Sequence, residues 1–303
     1  MKKVSHWGAV ASLLFITVMW GGSFSAIQYS LRAGIDVSVL LAIRFVIGAL
    51  GLALILLLTR TRVSWPALRD GLVLGVVVTG GFWLQADGLG HTTVPKSGFI
   101  TGLFVLFTPL VATMFGERVK RHQVAAVGVS ILGLYALTHA PGQPFGGWNR
   151  GDVETLLAAV LFGAQVYLIA RFSRRSNPLV VAFGQAAGTG ILTTMVCLIW
   201  PAAAGTGTDF AWTTGTIVAV GFLSLIATAL ASGVQCSMQA KLGATEAAIL
   251  FTLEPLFATL IAICGLVPGI REHLSWMQWL GALILLAAPI LAERGGALFQ
   301  RSA

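Results

Sequence analysis

The sequence predicts an all-α polytopic membrane protein, with ten transmembrane helices arranged as two inverted five-helix repeats. Three observations carry that expectation. First, 56% of the 303 residues are hydrophobic and 10% charged, with mean hydropathy +0.87, which leaves too little polar surface to cover a water-soluble globule. Second, there is no Asp, Glu, Lys or Arg between Lys3 and Arg32, between Arg175 and Asp209, or between Asp209 and Lys241. Each gap exceeds the roughly 20 apolar residues that cross a bilayer core. Third, the chain contains itself twice. FTPLVAT from Phe107 returns as LEPLFAT from Leu253, so Pro109 answers to Pro255. The Glu and Gln of ERVKRHQ recur at the same separation in EHLSWMQ, and VMWGGSF around Trp20 is answered by VLFGAQV around Phe162.

Splitting the apolar runs where Gly, Pro and Arg cluster gives ten spans, at 8–30, 36–58, 70–89, 95–115, 122–138, 152–171, 178–200, 212–237, 244–266 and 275–292. MKK before an apolar run is also how a signal peptide begins. It is read here as the approach to span 1, because the run continues through WGGSFSAIQ and has its counterpart at span 6. The division expected is 1–140 for the first repeat, 141–150 for an outer linker and 151–303 for the second repeat. An odd number of spans per repeat makes the second copy enter the membrane from the opposite face, the arrangement that underlies alternating access.

The net charge of +8 follows orientation rather than a nucleic-acid partner. With the N-terminus in the cytoplasm, 14 of the 19 Lys and Arg fall on the inner side. Arg32, Lys96, Arg150 and Arg271 fall outside, and Arg44 lies within span 2. This bias places both termini in the cytoplasm of a bacterial inner membrane. Cys197, Cys236 and Cys264 share no metal-ligand spacing and read as packing residues. No metal or cofactor is expected.

The segments MWGGSFSAIQ, AIRFVIGAL, GLGHTTVPKSGFITGLFVLFTPLVATMFGERV and ATEAAILFTLEPLFATL, in this order, resemble the EamA family of the drug/metabolite transporter superfamily. The resemblance implies a ten-helix inner-membrane carrier, often an exporter of amino acids or other small metabolites. It also implies a central cavity lined by spans 1, 3, 4, 6, 8 and 9, with span 2 outside it. The chain departs from the family pattern where VPGIREHLS lengthens the loop before span 10, and where Asp87 stands in place of an apolar or aromatic residue.

Candidate site residues follow from what lipid does not tolerate. Glu254 lies about 15 Å into span 9 at 1.5 Å per residue, and an acid at that depth is a functional candidate. Two readings stay open: a proton-coupling site, or a neutral acid supporting a kink. Pro255 lacks an amide proton and frees the carbonyl of Phe251, as Pro109 does that of Val105, so both are candidate hinges. In span 8, Ser224, Thr228, Ser232, Gln235 and Gln239 recur at steps of three and four on one helical face. Of these, Thr228 and Gln235 are taken as substrate-binding. Trp20 and Gln28 in span 1, Trp83 in span 3, Thr101 and Thr108 in span 4 and Gln165 in span 6 complete the binding set. Asp87 and Lys96, across the short turn between spans 3 and 4, form a candidate outer gate. Arg44 reads either as a snorkelling charge or as an anion ligand.

The function expected is a secondary transporter exporting a small metabolite such as an amino acid. Its partners are the small-molecule substrate and the lipid bilayer, and the GxxxG pairs at Gly71, Gly98 and Gly184 leave room for a homodimer. An exchanger of phosphorylated or nucleotide-linked sugars needs paired cations, and an integral membrane enzyme needs a motif. HExxH, GxSxG and the Walker loop are all absent.

Overall fold

The computed structural model describes residues 5–89, 91–92, 94–138, 148–204, 212–264 and 275–300. Every regular element among them is helical: α1 His6–Arg32, α2 Val37–Leu58, α3 Trp65–Leu89, α4 Val94–Gly102, α5 Phe104–Met114, α6 Arg121–Thr138, α7 Arg150–Arg175, α8 Pro178–Ala204, α9 Thr214–Gly221, a π-helical segment Phe222–Leu230, α10 Ala231–Gln239, α11 Ala244–Phe251, α12 Glu254–Ile263 and α13 Trp276–Gln300. Spans 4, 8 and 9 are each built from joined pieces, so the fourteen elements make ten rods. Eight rods have the length and apolarity to cross a membrane.

Caps account for several boundaries. Ser5 accepts from the amide of Gly8, and Asp36 from that of Ser38 at 2.7 Å. Asn149 and Asp152 cap α7 reciprocally, as Thr213 and Thr216 cap α9. Each such bond satisfies a donor that lipid cannot. Gly34, at φ 87°, turns the chain after α1, a conformation that a side chain resists.

Burial is inverted relative to a water-soluble protein. Leu57, Met114 and Leu198 are largely exposed, as a lipid-facing surface requires, while Arg44, Asp70, Gln185 and Gln235 are buried. The rods alternate direction, so the turns at Gly34, His91, Asn149 and Thr213 share a far face opposite the terminal face where α1 begins.

Close backbone approaches fix the packing. Gly71 and Gly75 of α3 lie against Gly184 and Gly188 of α8, and a Cβ on Gly71 would come within 2.4 Å of the Val181 carbonyl oxygen. These glycines are consumed inside the chain and are closed to an oligomer contact. At the terminal face, Arg175 donates to both carboxylate oxygens of buried Asp70, at 2.9 and 3.1 Å, tying α7 to α3. Gly21 of α1 meets Phe257 and Ala258 of α12, whereas its counterpart Gly163 of α7 meets Phe107 and Thr108 of α5. With Pro109 set against Pro255, the two contacts differ by four residues, or one helical turn.

Candidate functional site: a polar and aromatic cavity

Two of the rods break at mid-depth. In span 4 the α-helical ladder is interrupted at Leu103, whose amide bonds Ile100 one residue short of a regular turn. In span 9 the interruption is at Thr252 and Leu253: the Leu253 amide reaches Leu250, and the Thr252 hydroxyl donates to the Ile249 carbonyl at 2.6 Å. Pro255 therefore does not sit inside a continuous helix. It occupies the first turn of α12, where its missing N–H costs nothing, and its ring excludes the Phe251 carbonyl from a regular ladder position. Pro109 stays inside α5, six residues beyond its break.

Span 8 is loosened differently, by the π-helical turns at Phe222–Leu230. Such turns free carbonyls and occur often at functional sites. The Ala227 carbonyl there accepts from the Trp20 indole at 3.0 Å, locking the ring edge-on to Phe251 with 5.2 Å between centroids.

These irregular stretches surround a cavity of about 110 Å³. Its aromatic walls are Trp20, Phe24, Phe45, Phe82, Phe104, Phe162 and Phe251, and its polar groups are Ser23, Arg44, Gln85, Thr101, Gln165, Gln185, Thr228, Ser232, Gln235 and Glu254. A narrower cleft continues toward the far face past Leu31, Val37 and Ser97, sharing Phe24, Ile27, Arg44, Phe82 and Gln85 with the cavity. Toward the terminal face, Phe104, Val166 and Phe251 pack into the largest buried cluster.

Arg44 is the dominant charge. It is 3% exposed. Its Nε donates to the Thr228 hydroxyl at 2.8 Å, and its guanidinium lies 4.9 Å from the Phe82 ring centre and 5.4 Å from that of Phe45. Its Nη1 has no hydrogen-bond partner, and neither does the buried Oε1 of Gln185. Glu254 lines the same space without a direct ion pair to Arg44.

Of the residues singled out in the sequence, Trp20, Thr101, Gln165, Thr228, Gln235 and Glu254 come together here. Three do not. Gln28 is half-buried outside the lining, and Trp83 packs beside Leu41, Phe45 and Val78. Thr108 spends its hydroxyl on the Phe104 carbonyl, 2.9 Å away, against the close approach of Gly163. Asp87 is paired with Arg150 at 2.7 Å, and Arg150 also reaches Glu154 at 2.6 Å. The side chain of Lys96 lies outside the described residues. His91, Asp87 and Glu154 approach within 4.8 Å of one another, and Arg150 already bridges the two acids.

Spans 2 and 7 correct the expected lining, since Arg44 and Phe45 come from α2 and Gln185 from α8. The signal for Arg44 was its charge at depth, which lipid would not solvate. Gln185 stands at the matching place in the second half. Gln85, which donates to Thr101 at 3.2 Å, carried no such signal.

An all-helical chain with an inside-out surface, and a polar cavity at mid-depth between its halves, has the design of a membrane transporter. The model of the EamA-like transporter family matches residues 7–138 and again 149–292. The chain belongs to that family. An uncharacterized transporter of Archaeoglobus fulgidus is 29% identical over 282 residues, covering 93% of this chain and 84% of the relative. A solved crystal structure superposes with a TM-score of 0.73 at 17% identity, over 93% of this chain and 96% of its own, and so shares the fold.

Proposed function

We propose that this transporter is a secondary carrier that exports a small metabolite, an amino acid or a related compound, across a bacterial inner membrane by alternating access. The far face is then the outside, and both termini are cytoplasmic. The observation that supports this reading is the cavity itself. It lies between the two halves, continues by a cleft toward the far face, and is floored by Phe104, Val166 and Phe251 toward the other. That is the shape of one access state of a two-state machine.

Trp20, Thr101, Gln165, Thr228, Gln235 and Glu254 contact the substrate in this reading, and the breaks near Pro109 and Pro255 let α5 and α12 move relative to the shorter helices before them. Asp87 with Arg150 fastens the outer end of α3 to α7. An exchanger of phosphorylated sugars is less well supported, because the cavity offers a single guanidinium and sets Glu254 beside any dianion.

Counterflow in proteoliposomes tests the reading. Vesicles loaded with unlabelled substrate accumulate labelled substrate transiently if the protein is a carrier. A channel or an enzyme shows no such overshoot for any amino acid in a panel.

A further inference from the structure

We propose that His91, Asp87 and Glu154 form a binding site for a divalent transition metal of the zinc class at the far face, and that Arg150 is the cation which the metal displaces. None of the three lines the cavity, and occupancy is read without any transported solute, so the site stands or falls apart from the transport reading.

α3 closes at Leu89, but the chain keeps coiling beyond it: the amides of His91 and Thr92 both bond the Gly88 carbonyl, at 2.9 and 3.1 Å. Asp87 and His91, four residues apart, therefore stand one above the other on a single face. The third ligand comes from α7, and two glycines fix its distance. A Cβ on Gly151 would meet the Gly88 carbonyl oxygen at 2.4 Å and the His91 Cβ at 2.9 Å, so the two backbones touch here. Thr92 adds a second tie by donating to Asp152 at 2.7 Å. Glu154 is thus held opposite the pair by packed backbone. A ring nitrogen of His91 and a carboxylate oxygen each from Asp87 and Glu154 fall within 4.8 Å of one another. Tetrahedral zinc with bonds of about 2.0 Å sets its ligand atoms about 3.3 Å apart, so about 1.5 Å of side-chain adjustment closes the set.

The donors agree with that metal class. His91 Nδ1 lies 2.9 Å from the Asp87 carbonyl oxygen. A carbonyl only accepts, so Nδ1 carries the proton and Nε2 the lone pair, the bond that orients metal-ligating histidines. Glu154 gives Oε1 to Arg150, but its Oε2 is buried and has no hydrogen-bond partner, a cost that a bound cation relieves. One imidazole and two carboxylates suit zinc and its neighbours, whereas calcium takes roughly six or more oxygens. Arg150 is the competitor. Its side chain is 67% exposed and that of Asp87 41%, so their pairing is worth little and the guanidinium returns to water freely. A dication in its place would bind α3, in the first half of the chain, to α7 in the second.

Zinc is titrated into the full chain in lipid nanodiscs, with any affinity tag removed, and binding is followed by calorimetry. One ion per chain is expected, with a rise in unfolding temperature. His91→Gln and Glu154→Gln are each expected to weaken zinc by roughly ten-fold or more, since losing even a group that only orients a ligand costs that much. Arg150→Gln is expected to tighten zinc roughly two- to thirty-fold, the worth of two exposed ion pairs. Absence of saturable zinc binding, or binding that His91→Gln leaves unchanged, overturns the proposal. So does an Arg150→Gln variant that holds zinc no tighter than the unmodified protein. Should Glu154→Gln fail to fold, the exposed His91 and Arg150 variants decide alone, with their unfolding temperatures before zinc reporting an intact chain.

Discussion

Gly71→Ala is the most informative single change to the scaffold. The added methyl would lie 2.4 Å from the Val181 carbonyl oxygen, 2.7 Å from the Gly184 Cα and 2.9 Å from the Gln185 amide nitrogen. All three are backbone atoms, so no rotamer change relieves the clash, and α3 must withdraw from α8 by about 1 Å to restore ordinary contact. Overpacking of this kind costs about 1–3 kcal/mol. Helix propensity works the other way, since Ala improves on Gly by about 0.5–1 kcal/mol in a helix interior. The net expectation is a loss of up to about 2 kcal/mol. The matched control is Gly98→Ala, where a methyl meets nothing within 4 Å. Only the propensity gain remains there, so its stability should hold or rise. Thermal unfolding of the two variants in the same detergent, followed by fluorescence-detected size exclusion, makes the comparison. If Gly71→Ala melts no lower than Gly98→Ala, the two helices are not locked as described.

Three further outcomes are expected. Arg175→Gln should destabilise more than Asp70→Asn, by roughly 1–3 kcal/mol, because it leaves the buried carboxylate with only the Ser176 hydroxyl and the longer contact to Arg69 at 3.6 Å, whereas the half-exposed arginine can return to water; the reverse order in thermal unfolding would contradict the buried tie. On a background lacking Cys197, Cys236 and Cys264, cysteines introduced at Gln143 and Ser64 should label from outside and inside intact cells respectively, and labelling of both from one side would break the ten-span orientation. If Arg150 is the cation that holds Asp87, then combining Asp87→Arg with Arg150→Asp should restore more transport than combining Asp87→Lys with Lys96→Asp, and the opposite ranking in an uptake assay would return the gate to Lys96.

The spans were legible because lipid leaves so little freedom: runs longer than a bilayer core, bounded by charges or by Gly and Pro, have one use. Glu254 was legible for the same reason. Arg44 was equally visible as a charge, yet a resemblance that sets span 2 outside the cavity outweighed the cost of facing that charge to lipid. Gln85 and Gln185 were hidden because an amide in a helix is unremarkable until its neighbours are known. GxxxG at Gly71 and Gly184 allowed a close helix approach, read as room for a homodimer, but could not say that the two meet each other, since partner choice is a tertiary property. The π-helical turns had no local signature, because the same apolar residues fill an α-helix as readily. The break in span 9 was placed at Pro255, whereas the chain unwinds at Thr252 and Leu253, so that the proline begins a helix instead of interrupting one.

The one-turn difference between the contacts of Gly21 and Gly163 bears on what a solute meets at each mouth. A molecule with perfect two-fold symmetry in the membrane plane would present identical entrances, and no arrangement of it could be open above and shut below. Here α1 grips its partner helix four residues beyond the register that α7 uses, a displacement of about 6 Å along the helix axis. The halves share an ancestry of sequence but not a posture, and turning the protein upside down gives a shape that does not fit over the original.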